Sequence, residues 1–417
     1  MTAATISNSS NLFKALYPED VDTPQYIASR AYGKMKKDTN FASDGTKYVV
    51  VSIAPGAGGS ASITAAIANQ GATQEVRFSL GRKKLYEIGS IDGEAMAVAR
   101  NGGGNNSKGA ILDIIKHSLD RSRYAFSRTL ARATWGNGGG ARGTISSGST
   151  VSSTTITLTN RADASGFFKG MVLQTAGNDG YSTVTSARTG TVTVSDVKRL
   201  TSGTATITTT VAWSTAISGC ATGDSIFREG DYAAYPSGIP AWSPVSDPGG
   251  SDSFLSVNRN TAGDMNYLSG WRVSGSGQPK QQTLVDMAAE ARANNQNVDT
   301  VFMNPLDMRD AFKDQSTYKV IDVETTNPKV GYKGIQLLGA GGSMTVLDEP
   351  DCPRGYAWLV DPSTWTCRSA GDVPMILDFD GLKTFMRNPS GDDYQYRLGC
   401  YFNFENSSPA SAVIGTF

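Results

Sequence analysis

The side chains that could do chemistry are few. The chain of 417 residues has one histidine, His117, set between Lys116 and Ser118. A Ser-His-Asp relay would have to run through it, and no G-x-S-x-G elbow is present to supply the nucleophile. Zinc chemistry has even less to build on. H-E-x-x-H is absent, and Cys220, Cys352, Cys367 and Cys400 form no C-x-x-C pair. His117 is therefore expected to be a surface or helix-packing residue. "NGGGNNSKGAIL" (101–112) imitates a phosphate loop, but its order is Ser107-Lys108-Gly109 where a Walker loop needs Gly-Lys-Ser/Thr. "WGNGGGARG" (135–143) follows a helix and lacks the dinucleotide spacing. Both read as flexible joints. Acid pairs at Asp92/Glu94, Asp378/Asp380 and Asp392/Asp393 are close in sequence, whereas a glycosidase needs carboxylates facing each other across a cleft. Solvated turns or inter-subunit salt bridges are the expected roles. No catalytic residue, no cofactor and no metal is expected, and the chain does not read as an enzyme.

The most structured of these stretches is "DTVFMNPLDMRDAFKD" (299–314), a strand running through Asn-Pro into a helix. Asn304 is the natural N-cap and Pro305 fits the first helical position. No Ser, Cys or Lys stands at the turn, and Asp307, Arg309 and Asp310 fit capping and surface. The junction is expected to set an angle between elements.

Around these residues the chain is long enough for a substantial core in two or three domains. It is 39% apolar, without a stretch long enough to span a bilayer. The first residues show no basic region followed by an apolar block, so no secretory signal and no membrane role are expected. Lys+Arg and Asp+Glu both number 38, for a formal charge of zero. That balance argues against a dedicated nucleic-acid binder and suits close packing of many copies. The sparse cysteines are expected to be reduced and buried.

Residues 1–40 read as a polar arm. "TKYVVVSI" and "ATQEVRFSL" are strands separated by a small, Gly-rich stretch, giving a β excursion that cannot bury much by itself. From Gly109 to Trp135, Ile111, Leu112, Ile115, Leu119, Phe126, Leu130 and Ala133 fall near a helical period, with Gly136 as the expected stop. At 1.5 Å per residue this rod is roughly 40 Å long. Residues 144–229 turn to Thr, Ser, Gly and Val in short strands, which predicts a small barrel or sandwich inserted in the main fold. "PKQQTLVDMAAEARANN" is a helix burying Leu284, Met287, Ala288 and Ala291. In "YQYRLGCYFNFE", Tyr394, Tyr396, Leu398, Cys400, Phe402 and Phe404 share one strand face, and core packing is the expected use.

The order of these features resembles the major capsid protein of tailed phages, with the Hong Kong-type shell fold shared with herpesviruses. The resemblance rests on the strand–Asn-Pro–helix joint at 298–312 and on "RFSLGRKKLYEIGSIDGEAM" (77–96) leading toward the long helix. It covers roughly 75–140 and 231–417. It implies an α+β subunit with an N-terminal arm (1–40) and an extended β loop (41–85). A peripheral domain (86–143 and 345–417) would carry the long helix, and 231–344 would form the axial domain. The Thr/Ser-rich β domain (144–230) is extra. The subunits would self-assemble as hexamers and pentamers into an icosahedral virion shell, made in the host cytoplasm and enclosing double-stranded DNA without specific contacts. The short amino-terminal region implies a separate scaffolding protein, besides a portal, and no Lys–Asn cross-link is expected. Arg77, Arg82, Lys83, Lys84, Arg121, Arg128, Asp307 and Arg309 are the expected subunit-contact residues. The alternative is a tail-associated or extracellular β-rich protein that binds or cleaves carbohydrate, suggested by the Thr/Ser-rich insert and the scattered acid pairs.

Overall fold

The computed structural model describes residues 29–41, 45–54, 59–71, 74–94, 108–181, 186–201, 203–314, 335–339, 342–377, 386–388 and 391–417, with backbone alone at 54, 108–117, 312, 314 and 335–339. The joint at 101–107, the pair Asp378/Asp380 and the His117 side chain lie outside the described residues.

The chain enters through a short helix (Arg30–Lys34) and strand β1 (Lys36–Asp38). A hairpin follows, β2 (Thr46–Ala54) and β3 (Gln74–Gly81), with a small helix (Ile63–Ala68) in its excursion. Next come β4 (Lys83–Asp92) and the long helix (Lys108–Thr134). The Thr-rich part supplies β5 (Gly143–Thr144), β6 (Thr155–Thr157), β7 (Val172–Ala176), β8 (Val192–Arg199), β9 (Ala205–Thr209) and β10 (Ser225–Arg228). Then follow β11 (Trp271–Ser274), the helix Lys280–Ala293, β12 (Thr300–Met303), the helix Pro305–Asp314, β13 (Ile335–Gly339), β14 (Gly342–Asp348) and β15 (Tyr356–Val360). The chain closes with β16 (Trp365–Ser369), β17 (Met375–Ile376), β18 (Met386–Arg387), β19 (Asp393–Asn406) and β20 (Ala412–Thr416).

Strand β19 organises one sheet. It pairs with β4 along one edge and with β16, β17 and β18 along the other, and β1 joins in parallel through β16. Its alternating apolar residues behave as the sequence predicts, with Tyr396, Leu398, Cys400, Phe402 and Phe404 all buried. The opposite face differs from expectation at its far end. Asn403 and Glu405 are buried as well, because other elements cover that face and use their polar atoms. Asn403 accepts from the Ser237 N–H at 2.9 Å and donates to the Gly81 carbonyl at 2.7 Å.

The long helix lies across this sheet. Phe126, Leu130 and Ala133 are buried, as its periodicity predicts. Gly89 on β4 has no Cβ, and one added there would come within 2.1 Å of the Tyr396 ring. The phenol crosses that space to reach the hydroxyls of Ser118 and Ser122, at 2.9 and 2.6 Å. The helix ends at Thr134, and Gly136 follows without positive φ; the left-handed turns fall to Gly138 and Gly140.

A second sheet runs β11-β20-β15-β12-β14-β13, with the helix Lys280–Ala293 packed on it through Leu284, Met287, Ala288 and Ala291. This corrects the boundary expected at 344. β14, β15 and β20 belong with β11 and β12, so only 365–406 of the terminal region shares a sheet with β4. The reason is register: β12 is buried at every residue and needs a partner on each edge. The Asn-Pro junction is architecture. Asn304 Oδ1 accepts from the Leu306 N–H at 3.1 Å, and its amide nitrogen donates to the Cys352 carbonyl at 3.0 Å.

The six Thr-rich strands form one antiparallel sheet, ordered β5-β10-β7-β8-β9-β6. Ile145 bridges Leu158, with Ser146 N–H to Thr157 O and Thr159 N–H to Thr144 O both at 2.9 Å, so the sheet closes on itself as a barrel. Alternation explains it. Ile156, Leu173, Val194, Ile207 and Ile226 point inward and are at most 1% exposed, while Thr155, Thr157, Thr193, Thr206 and Thr208 take the outer face.

The expected arm at 1–40 is shorter than the sequence suggests. Ala31, Tyr32 and Met35 are core residues, so from residue 29 onward the chain belongs to the body. Its root is tied by Glu349, which is fully buried and accepts from the Ala31 N–H at 3.1 Å and the Ser29 hydroxyl at 3.3 Å. Burial, helped by the nearby Asp351 charge, pushes the Glu349 carboxyl up to about 7 against the pull of those donors.

Two outcomes are expected. A carboxyl raised on folding favours the protonated folded state, so its contribution is complete below the unfolded pKa of about 4.3 and is lost as pH climbs through 7. Glu349→Gln should match the wild type in thermal melts at pH 4 and exceed it at pH 8 by on the order of 1–2 kcal/mol; a wild-type advantage at pH 8 contradicts the assignment. Asn304→Ala should cost about 1–3 kcal/mol in denaturant unfolding, from the lost cap and two unsatisfied carbonyls.

Candidate assembly surface

Apolar side chains left in water are the most informative feature outside the core. The hairpin divides its residues by strand alternation. Val49, Val51, Phe78 and Leu80 face inward and are buried, with Phe78 edge-on to Trp242 at 5.1 Å. The expectation that the whole excursion lacks cover within its own subunit is thus corrected: the base is packed at home. Its outer face is not, since Tyr48 and Val50 are 51% and 52% exposed. Nor is the small helix beyond it, which buries no residue and leaves Ile63 at 79% and Ile67 at 62% exposed.

A second uncovered surface lies on β4. Leu85 and Ile91 face the core, while Lys84, Tyr86 and Ile88 look outward. Tyr86 meets the Tyr401 ring edge-on at 6.1 Å. Among the described residues β4 pairs only with β19, so its other edge offers unpaired backbone groups to another chain.

The expected contact residues separate into two groups. Arg77 is exposed and lays its guanidinium over the Tyr48 ring at 4.2 Å. Arg82 stands over Phe41 at 5.7 Å. Lys84, Arg121 and Arg128 are exposed, and Arg128 also donates to the Ser165 carbonyl. Arg309 is exposed beside Asp310, at 2.7 Å. The other two turn inward. Lys83 donates to the Ala233 carbonyl at 3.4 Å, and burial lowers its pKa. Asp307 is a correction to both of its expected roles, surface and subunit contact. Its side chain is 1% exposed and accepts from Lys280 at 2.6 Å, Arg354 at 3.2 Å and the Gly355 N–H at 2.9 Å. A carboxylate so fully paired inside its own subunit has nothing left to offer a neighbour.

Several structural side chains have no sequence motif. Arg259 is 1% exposed, makes a two-pronged pair with Asp252 at 2.9 and 3.0 Å, and donates to the Ala241 and Trp242 carbonyls. Arg132 and Arg142 lie beside Asp163 and Asp351 in a cavity of about 270 Å³ between the helix end, the barrel and the 350–356 loop. Burial raises both carboxyls, Asp163 to about 6, although Arg132 pulls each of them down. These groups brace three elements and provide no nucleophile. The four thiols are buried and free, and burial pushes Cys367 up to about 12, far from a reactive thiolate. Among the described residues no cluster of His, Cys, Asp and Glu could hold a metal ion, and no helix is long and apolar enough to cross a membrane.

No protein-family model and no curated protein matches this chain. Solved structures do. A chain of the cyanophage A-1(L) capsid asymmetric unit aligns with a TM-score of 0.51 at 9% identity, over 97% of this chain and 96% of that one. Looser likenesses include the capsid of a native GTA particle (TM-score 0.46, 11% identity, 100% of this chain and 99% of that one). A chain of Microbacterium phage Oxtober96 stands with it (0.44, 10%, 100% and 99%). End to end, the chain shares its fold with a subunit of the cyanophage A-1(L) capsid.

Proposed function

We propose that this chain is the major capsid protein of a tailed double-stranded DNA phage, assembling as hexamers and pentamers into the icosahedral shell of the virion. The observation that carries the reading is the end-to-end likeness to the cyanophage capsid chain, which spans nearly all of both chains. The uncovered apolar surfaces support it. Tyr48, Val50, Ile63, Ile67, Tyr86 and Ile88 are large, exposed and confined to a projecting hairpin and an open strand edge. A monomer keeps such groups in water at a cost of about 25 cal/mol per Å² of apolar surface, and a lattice of sister subunits removes it. Each contact can be modest because every subunit makes several.

In this reading the hairpin is the extended loop, the β19 sheet with the long helix is the peripheral domain, and the sheet around β12 is the axial domain. The barrel at 143–228 is an added module on the body. Balanced charge suits a shell that confines DNA without reading it. A separate scaffolding protein and a portal are the partners the reading requires.

Expressed alone or with its scaffold, the protein should form closed particles or five- and six-membered rings by electron microscopy. Ile63→Asp combined with Ile67→Asp should leave the subunit's unfolding within about 0.5 kcal/mol of wild type, since neither residue is buried, yet lower particle yield at least tenfold. Normal assembly of that variant would remove the hairpin from the subunit contact, and a subunit that stays monomeric under all these conditions would overturn the reading.

A further inference from the structure

The chain makes one tight turn out of residues that suit it badly. The Val257 N–H donates to the Phe254 carbonyl at 2.9 Å, and the two residues between them, Leu255 and Ser256, have φ of 47° and 68°. Positive φ at both central positions is the demand of a type I′ turn, which Asn-Gly meets with little strain. Any other side chain held there crowds its own following carbonyl. Elsewhere the chain gives its left-handed positions mostly to glycine. Among the described residues, Leu255 and Ser256 are the only adjacent pair of other residues to take them.

What holds the turn is the hairpin of β2 and β3. The Leu255 carbonyl accepts from the Ser79 N–H of β3 at 2.9 Å, and the Leu255 side chain packs against the main core. Phe254 lies 6.0 Å from the Phe78 ring of β3 and 5.1 Å from Trp242. Arg259 stands 4.4 Å over the Phe254 ring, and its pair with Asp252 closes the base of the loop. The same segment meets the other strand at Gly263, where a Cβ would come within 2.2 Å of Ile53 Cδ1. A cavity of about 410 Å³, lined by Lys83, Phe254, Leu255 and Arg259 among others, leaves the turn room to change shape. Strain of this kind persists only where the surroundings over-determine it.

We propose that the Phe254–Val257 turn is a strained catch that sets the angle of the hairpin, and so aims its open face, Tyr48, Val50 and the Ile63–Ala68 helix, at a neighbouring subunit. Docking of Phe78 and Ser79 keeps the turn in its unfavourable form. When the hairpin swings off, the turn relaxes, and the released strain offsets part of the lost packing. The free subunit thus presents one angle, and a neighbour can draw the hairpin off it against little resistance, as one sequence in both five- and six-membered rings requires. The use of the catch rests on the shell reading. The catch itself belongs to the single subunit and is tested there, so failure of the one is distinguishable from failure of the other.

Position 256 carries the test, because Ser256 is exposed and its backbone conformation is what is at issue. In the free, full-length subunit, amide hydrogen exchange is followed at Ser79, whose N–H reports the catch, and at Val301 of the buried β12 as reference. Ser256→Gly should slow exchange at Ser79 about threefold, the relief of the left-handed penalty less the entropy that glycine adds to the relaxed turn. Ser256→Val is β-branched and meets positive φ only with greater strain, so it should speed that exchange by about tenfold. Exchange at Val301 should stay within about twofold in both variants. An unchanged Ser79, the opposite order of the two variants, or an equal change at Val301 would each overturn the proposal. The first two mean that no strain is stored in the turn, and the third that the turn acts on the whole fold and not on the hairpin.

Discussion

The structure depends on one strand being covered from all sides. β19 buries aromatic and aliphatic residues on its inner face along most of its length and polar residues on its outer face toward the end. Each neighbour contributes a different form of cover. β4 and β16 supply backbone pairing, the long helix receives the Tyr396 hydroxyl, and Trp242 donates its indole N–H to the Phe404 carbonyl at 2.9 Å. Because the hairpin base packs on that same Trp242, the projecting part of the molecule is aimed by the core. The apolar surfaces it carries outward are therefore held in fixed positions relative to that core.

The buried charges follow the same economy. Asp307, Arg259 and Arg142 each join segments remote in sequence, and each is nearly saturated with partners. Removing a water shell from such groups is unfavourable by several kcal/mol unless the geometry of the partners is fixed. They therefore specify how sheets and loops meet more than they add to stability. Glu349 and Arg142 each keep one buried polar atom, Oε1 and Nε, without a hydrogen-bond partner among the described residues.

Much of this was legible in the amino-acid sequence wherever one periodic signal dominated. The alternation at 394–404, the apolar stripe at Leu284, Met287, Ala288 and Ala291, and the Asn304-Pro305 start of a helix all read correctly because local chemistry and burial agree there. Legibility failed where long-range pairing decides. Nothing local tells β14 and β15 to join β12 and not β4. Nothing around "NPLDMRD" distinguishes a buried Asp307 from a surface cap, because its partners come from residues 280 and 354–355. Nothing local marks Glu349 in "LDEPDCPR" as a buried anchor, because the groups it holds, the Ala31 N–H and the Ser29 hydroxyl, come from the other end of the chain. That the excursion would leave apolar surface uncovered was legible from its strand pattern, and only the three-dimensional alternation shows that Tyr48 and Val50 are the open half while Val49 and Val51 are buried.

The way the barrel is mounted has a consequence for how this protein can change. The long helix grips it through main-chain oxygens, Arg128 on Ser165 and Arg132 on Arg142, and a carbonyl is present whatever the side chain. The closed sheet has no loose edge to pass disturbance to its surroundings. Substitution across its outer threonines is thus decoupled from the geometry of the rest of the subunit, leaving this module free to diverge at a faster pace than the frame that carries it.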